Sequence, residues 1–404
     1  MDSDYWLIGI NSFQILILII LGLSVFYIFL FSLVGLFYKQ HPYPGIVRNR
    51  KIAVLIPGYK EDEVIVEVAK EALSQDYPSD MFDVVIIADS FQPETLSNLR
   101  QLPIKVIEVS FETSTKSKAL NKAMEQLDNS YDIVVILDAD NVMAHDFLTK
   151  INSIFELDCI AVQGHRTAKN TNTSLAILDA VSEEINNHIF RKGHRVLGLS
   201  SAIIGSGMAF KYGFFKSMML SVKAIGGFDK EIELKLLKEG HRILYLDDAY
   251  VYDEKVQKAD VFSNQRRRWL SAQLHYFRQD FLLSVKHLIT KGNLDYFDKA
   301  MQFIQPPRIL LLGAVLLLGS LFLVLNYSLN NNLIYNQLWI TVIVGCIASF
   351  MFSIPGSFYN LNTFRAVASL PKGMFLMFGS LLKIKGANKK FIHTKHTSIT
   401  TNKK

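Results

Sequence analysis

Cysteine is almost missing from this chain of 404 residues. Only Cys159 and Cys346 occur, one in an expected soluble region and one inside an apolar run, so no disulfide framework is implied. Basic residues are missing from the start, where Met1 to Trp6 offers Asp2 and Asp4 but no Lys or Arg. A cleaved signal peptide would need a basic start and a shorter apolar stretch, so the first apolar run reads as retained. Internal repeats and low-complexity tracts are missing too. Charge is lacking over long stretches: Ile15 to Tyr38, Ile309 to Leu325 and Leu338 to Ile354 contain none. At about 1.5 Å per residue in a helix, the first of these crosses a hydrocarbon core of roughly 30 Å. With 50% hydrophobic residues and a mean hydropathy of +0.21, the chain is too apolar for an ordinary soluble enzyme.

What charge there is lies beside these runs. Lys39, Arg48, Arg50 and Lys51 flank the first, and Lys383, Lys385, Lys389 and Lys390 follow the last, which orients the middle and the tail toward the cytoplasm. The net charge of +6 is thereby assigned to anionic lipid headgroups, and nucleic acid is not expected as a partner. Met374 to Leu382 is apolar but too short to cross, and reads as a helix lying in the interface.

Between Lys51 and His165, β-branched runs alternate with helical patterns. Ile52 to Ile56, Val84 to Ala88, Val106 to Val109, Ile133 to Leu137 and Ile160 to Val162 read as strands. Val64 to Leu73 and Lys118 to Leu127 read as crossover helices. This is the pattern of βαβ units, an α/β fold with a mostly parallel central sheet buried under helices on both faces. Ligands of such sheets sit beyond the carboxyl ends of the strands, and there the sequence turns acidic: Pro57 to Asp62, Asp89-Ser90 and Asp138 to Asn141. Asp138 and Asp140 flank one small residue straight after a buried strand, within reach of a hard divalent cation, Mg2+ or Mn2+, beside a diphosphate. Taken alone, the same triplet also fits a turn or a helix N-cap.

The ordered strings PGYKED, IIADS, KSKALN, ILDADN, GSGMAF and QRRRW, spread from Pro57 to Trp269, resemble family 2 of the inverting glycosyltransferases. The resemblance is to its membrane-bound branch of cellulose, chitin and hyaluronan synthases and ceramide glucosyltransferases. It implies a GT-A-type nucleotide-sugar-binding domain, a UDP-sugar donor, and a glycan or lipid acceptor at the bilayer, with a secretion or assembly subunit as a further partner. It assigns Pro57, Tyr59, Glu61 and Asp89 to the nucleoside pocket, Asp138 to the donor and Asp140 to the metal, with Lys116 near phosphate. Gly58 and Lys60 depart from the Ala and Asn usual there. Gly205, Ser206 and Gly207 bring backbone close to donor or acceptor, Ser206 toward a sugar hydroxyl. In QRRRW, Gln265, Arg268 and Trp269 share one helix face, so that Arg268 can clamp a leaving diphosphate and Trp269 can offer a flat face to a sugar. Arg266 and Arg267 fall at variable positions.

The family's ED pair opens a helix carrying LxLRLLxxGY. Counting back from Gly240 puts Asp229 on its Asp and Phe228 on its Glu, which makes Asp229 the expected base and Glu231 the runner-up. His165 and Arg166 are expected along the acceptor cleft, and Glu183, Glu184 and Asn187 on a solvated helix face. His393 and His396, in the family-like tail string KKFIHTKH, carry no role. The expected domain order is an external N-terminus (1–14), a span (15–38), a cytosolic linker (39–50), the cytosolic catalytic domain (51–290) and an interfacial segment (291–308). Spans over 309–325 and 338–354, an interfacial or re-entrant helix (373–383) and a basic cytosolic tail (384–404) follow. The resulting expectation is an integral membrane protein of the plasma membrane, or the inner membrane of a bacterium, with three spans. Two alternatives stand beside polymer synthesis: a lipid glycosyltransferase that adds one sugar and stops, and a non-catalytic nucleotide-sugar sensor or scaffold.

Overall fold

A computed structural model describes residues 2–224 and 226–383. The tail string, with His393 and His396, and Lys385, Lys389 and Lys390 lie outside the described residues.

One eight-stranded sheet organises the middle of the chain, in the order β3-β2-β1-β4-β7-β6-β8-β5. Its strands are β1 (Ile52–Tyr59), β2 (Phe82–Asp89), β3 (Lys105–Val109), β4 (Ile133–Ile136), β5 (Val142–Met143), β6 (Ala161–Ala168), β7 (Met208–Lys211) and β8 (Ile243–Asp253). The first four pair in parallel, joined by α2 (Ile65–Leu73), α3 (Pro93–Arg100) and α4 (Lys116–Gln126). Residues 52–56 and 84–87 are buried completely, one layer of side chains on each face of the sheet. That is why these runs are apolar without alternation.

Beyond β4 the mostly parallel sheet takes in an antiparallel strand. β7 is antiparallel to both β4 and β6, so β6 regains the direction of β4, and β8 runs parallel to β6. The carboxyl ends of β1, β2, β4, β6 and β8 and the amino end of β7 therefore meet at one edge. β6 also continues six residues past Val162. Its register with β8 jumps from Gly164 opposite Leu246 to His165 opposite Tyr250, and the extra residues 247–249 bulge over His165.

Helices α5 (Phe147–Ile154), α6 (Ser174–Asn186), α7 (His194–Val196), α8 (Tyr212–Met219) and α9 (Phe228–Lys238) precede the 33-residue α10 (Ala259–Lys291). α6 runs on through a π-helical stretch, Asn187–Gly193. α11 (Leu294–Ile304) occupies the segment expected at the membrane interface, but its Tyr296, Asp298, Lys299, Ala300 and Phe303 are buried. An amphipathic helix with such a face docks on protein when α9 and α10 lie beside it.

Among the described residues three helices are long and apolar enough to cross a membrane: α1 (Asp2–Gly35), over Tyr5–Gly35, α12 (Arg308–Ser328) and α13 (Leu333–Ser353). The first begins well before Ile15 and ends at Gly35, so residues 2–14 are helical. These three helices pack on one another through Leu18, Val25, Phe322, Trp339 and Cys346 and on α6 through Ile177, Val181 and Ile185. Two short helices, α14 (Leu361–Val367) and α15 (Leu370–Leu382), follow. α15 buries Gly373, Met377 and Ser380 and exposes Phe375, Phe378 and Leu382.

Candidate active site

A cleft of about 460 Å³ opens at the shared strand edge. Pro57, Tyr59 and Glu61 line it from the end of β1, and Asp89 from the end of β2. Lys60 and Ser90 adopt φ of 56° and 61°, and the Lys60 N–H donates to the Asp89 carbonyl at 3.1 Å. The two strand ends thus turn together and leave Tyr59 and Asp89 at the opening. Gly58 has a steric reason: a Cβ there would stand 2.7 Å from the Phe91 ring.

Asp138 and Asp140 follow β4 on the same wall. Asp140 is 2% exposed and its Oδ2 accepts the Glu254 N–H at 3.0 Å. Asn141 completes the turn. Its Nδ2 donates to Asp140 at 3.4 Å and Asp253 at 3.1 Å, and its Oδ1 accepts the Asp138 N–H at 3.2 Å and the Ser206 hydroxyl. Ser206, expected at a sugar hydroxyl, is instead buried and spent on holding this turn. Gly207 packs on Val251 behind the wall.

Lys116 is no solvated lysine. Its ammonium pairs with Asp138, donates to the Gly205 carbonyl at 2.8 Å and lies 5.1 Å from the centre of the Phe228 ring. Gly205, at φ +80°, backs onto α9, and a Cβ there would stand 3.3 Å from Phe228 and 3.5 Å from the Asp229 Cβ. Asp229 lies in the first turn of α9, where the helix dipole favours a carboxylate, and lines the cleft. Glu231 pairs with Lys235 at 2.9 Å and does not line it. From α10, Gln265, Arg268, Trp269, Ala272 and Gln273 line the remaining wall, a stripe at helical spacing. Burial holds the Arg268 pKa below its ordinary value.

Beneath these residues lies a buried charge cluster with no signature in the local sequence. Arg166, on β6, pairs with Glu183 of α6 at 2.9 Å and approaches Asp253 at 3.8 Å and Asp138 at 3.9 Å. Lys255 pairs with Asp253 at 2.9 Å and Arg191 lies 3.5 Å from Glu183. Burial opposes every one of these charges. It is outweighed at Arg166 by Asp253, Glu183 and Asp138, which raise its pKa. It is likewise outweighed at Glu183 by Arg166, Lys255 and Arg191, which lower its pKa. Glu183, Glu184 and Asn187 are thus not on a solvated face, because α6 is sandwiched between the long apolar helices and the sheet edge. Arg166 lines the cleft as expected. His165 does not: its Nδ1 meets Asp247 Oδ1 at 3.0 Å and its Nε2 meets Glu184 Oε2 at 3.0 Å.

Among the described residues no group of three or more His, Cys, Asp or Glu side chains forms a metal cage. One or two carboxylates at the cleft wall, Asp140 foremost, suit instead a cation whose remaining ligands are water and substrate phosphate.

Comparison with known proteins places this geometry. A curated beta-monoglucosyldiacylglycerol synthase of Nostoc sp. is 25% identical over 232 residues, covering 54% of this chain and 48% of that one. A hyaluronan synthase of Streptococcus pyogenes is 25% identical over 152 residues, 35% of each chain. The chain thus spans about half the length, or less, of these curated relatives. Among solved structures, a mannosyltransferase from Pyrobaculum calidifontis in complex with GDP-Man and Mn2+ superimposes with a TM-score of 0.51 at 20% identity, covering 84% of this chain and 98% of that one. That likeness is one of fold, the GT-A-type α/β arrangement. The family model for glycosyltransferase-like family 2 matches residues 49–272, the stretch that builds the sheet, α9 and the QRRRW face, and this chain belongs to that family.

Proposed function

We propose that the protein is an inverting glycosyltransferase that moves a sugar from a UDP-sugar to a lipid or glycan acceptor held at the bilayer. The observation that carries this reading is that Asp140 and Asp229, 89 positions apart in the sequence, line one cleft with Arg268 and Trp269. Tyr59, Glu61 and Asp89 form the nucleoside end. Asp229 takes the acceptor hydroxyl proton while that oxygen bonds to the anomeric carbon from the face opposite the diphosphate. The bond from that carbon to the diphosphate oxygen breaks, its electron pair leaves with UDP, and the configuration inverts. Arg268, and Lys116 beside Asp138, receive the leaving charge. Gln265 Oε1, buried with no hydrogen-bond partner among the described residues, accepts a ligand hydroxyl or N–H. Trp269 supplies a flat face for an acceptor sugar. Asp140 would hold Mg2+ or Mn2+, which supplies Lewis-acid stabilisation of the diphosphate when bound. The Mn2+ complex of the Pyrobaculum mannosyltransferase supports that choice of cofactor.

One observation favours single addition to a lipid over polymer export. Trp339 of α13 stacks on Phe322 of α12 at 5.3 Å with both buried, so the contact between these two helices is filled with side chains. The mouth of the cleft is also tied to a span, because Arg308 of α12 donates to Asn186 on the cleft wall at 2.7 Å.

The test incubates membranes carrying the wild type, Asp140→Asn or Asp229→Asn with labelled UDP-sugars and Mg2+ or Mn2+. Transfer by the wild type alone is expected. Equal incorporation by all three would overturn the mechanism, and none with any donor would leave the nucleotide-sugar sensor. Product length separates one addition from polymerisation.

A further inference from the structure

Arg266 stands at a position where the family motif sets no residue, yet it has three specific contacts. Its guanidinium carbon lies 4.4 Å from the centre of the Trp269 ring and 4.7 Å from that of Phe262. It sits between rings one helical turn to either side on α10. Its Nη2 pairs with Asp179 of α6. Only 11% of the Arg266 side chain and 12% of that of Asp179 is exposed. Phe262 is packed in turn with Met377 of α15, Val256 and Leu270. Asp179 lines the cleft beside Trp269, whereas Arg266 does not. One face of the indole is therefore covered by a cation that is itself fixed at both ends, and Trp269 stays 36% exposed.

We infer that Arg266 is a positioning residue that sets the plane of the Trp269 indole against the cleft, with Asp179 as its anchor on α6. The inference rests on reading Trp269 as the sugar platform. Arg suits the task better than Lys, because a planar guanidinium stacks on an indole and still presents N–H groups at its edge to a carboxylate. α10 is already packed on α9, α11 and α15, and the anchor adds a polar tie on its cleft side, where Asp179 lines the opening. The pair ties α10 to α6, the helix that carries Glu183 under the donor end. A simple bond between two helices would stabilise the fold without deciding which way the indole faces.

The experiment uses the full chain in phosphatidylglycerol nanodiscs with 5-fluorotryptophan at its three tryptophans, the Trp269 resonance being assigned from Trp269→Phe. Arg266→Ala, Arg266→Lys, Asp179→Asn and the Arg266→Ala/Asp179→Asn pair are compared. The first three should each move the Trp269 resonance and leave those of Trp6 and Trp339 in place, which also reports that each variant is folded. The double variant should move it no further than Arg266→Ala does. Cellobiose, as a soluble sugar probe, should bind roughly fivefold more weakly to Arg266→Ala, about 1 kcal/mol, with UDP affinity kept. An unmoved Trp269 resonance in the folded Arg266→Ala and Asp179→Asn variants, or shifts that add in the double variant, would overturn the inference. If cellobiose leaves the wild-type Trp269 resonance untouched while the substitutions move it, the platform reading fails and the positioning stands.

Discussion

His165 makes the stability of the catalytic body sensitive to alkaline pH. The imidazole is 7% exposed and bridges Asp247 on the β8 bulge to Glu184 on α6, at 3.0 Å on either side. Burial by itself lowers its pKa, but hydrogen bonds to Asp247 and Glu184 outweigh burial and push it from 6.5 to about 9. The same contacts, against burial, hold Asp247 down to about 2 and Glu184 below its ordinary value. A histidine raised in this way contributes its stability in full below the unfolded value of about 6.5 and loses it as the pH rises through about 9. That interval corresponds to about 3 kcal/mol. Glu184 adjoins Glu183, the partner of Arg166, so loss of the bridge loosens the floor of the cleft as well. The thermal unfolding midpoint of the detergent-solubilised protein should therefore fall between about pH 6.5 and about pH 9.5, and UDP affinity should fall with it. His165→Gln should start lower and lack most of that slope. A wild-type midpoint flat over the interval, or the same slope in His165→Gln, would refute the assignment.

Glu183→Gln leaves Arg166, Lys255 and Arg191 short of a buried counter-charge. It should cost roughly 3–5 kcal/mol, read as a lower unfolding midpoint and a lower yield of folded protein. Asp140→Asn should weaken UDP binding in Mn2+ by roughly a hundredfold or more while leaving binding in EDTA unchanged, measured by calorimetry. Gly58→Ala drives a methyl toward the Phe91 ring and should cost roughly 1–3 kcal/mol in stability. Phe91→Leu in the same chain should recover most of that loss, and a Gly58→Ala variant as stable as wild type would remove the steric account of this glycine.

Much of the site was legible because its parts obey local rules. A strand buried on both faces is apolar throughout, as Ile133 to Ile136 is, so the polar residue that follows marks the edge where ligands bind. The resemblance to the family's QxxRW string singles out Gln265, Arg268 and Trp269, and helical spacing puts them on one face. Arg166 was legible only as a residue after a strand, and the partners that keep it charged were not. Glu183 comes from α6, Asp253 from the end of β8 and Lys255 from the segment after it, and nothing in their own neighbourhoods distinguishes them from surface charges. Ser206 erred the other way, since a serine between two glycines looks available until Asn141 is seen to take its hydroxyl.

The sequence by itself therefore determined what depends on a residue and its near neighbours. These are the charge-free runs long enough to span a bilayer, the alternation of buried strands with crossover helices, and the acidic strand ends. They are readable because burial and helix or strand period act over a few residues at a time. The tertiary structure decided what depends on which elements lie side by side. The antiparallel β7 restores the direction of β6 and β8, and so brings Arg166 and Asp253 to the edge where Asp138 and Asp140 already stand. The long apolar helices lie on the apolar side of α6, and this turns its glutamates inward, where only opposite charges at short range make them affordable.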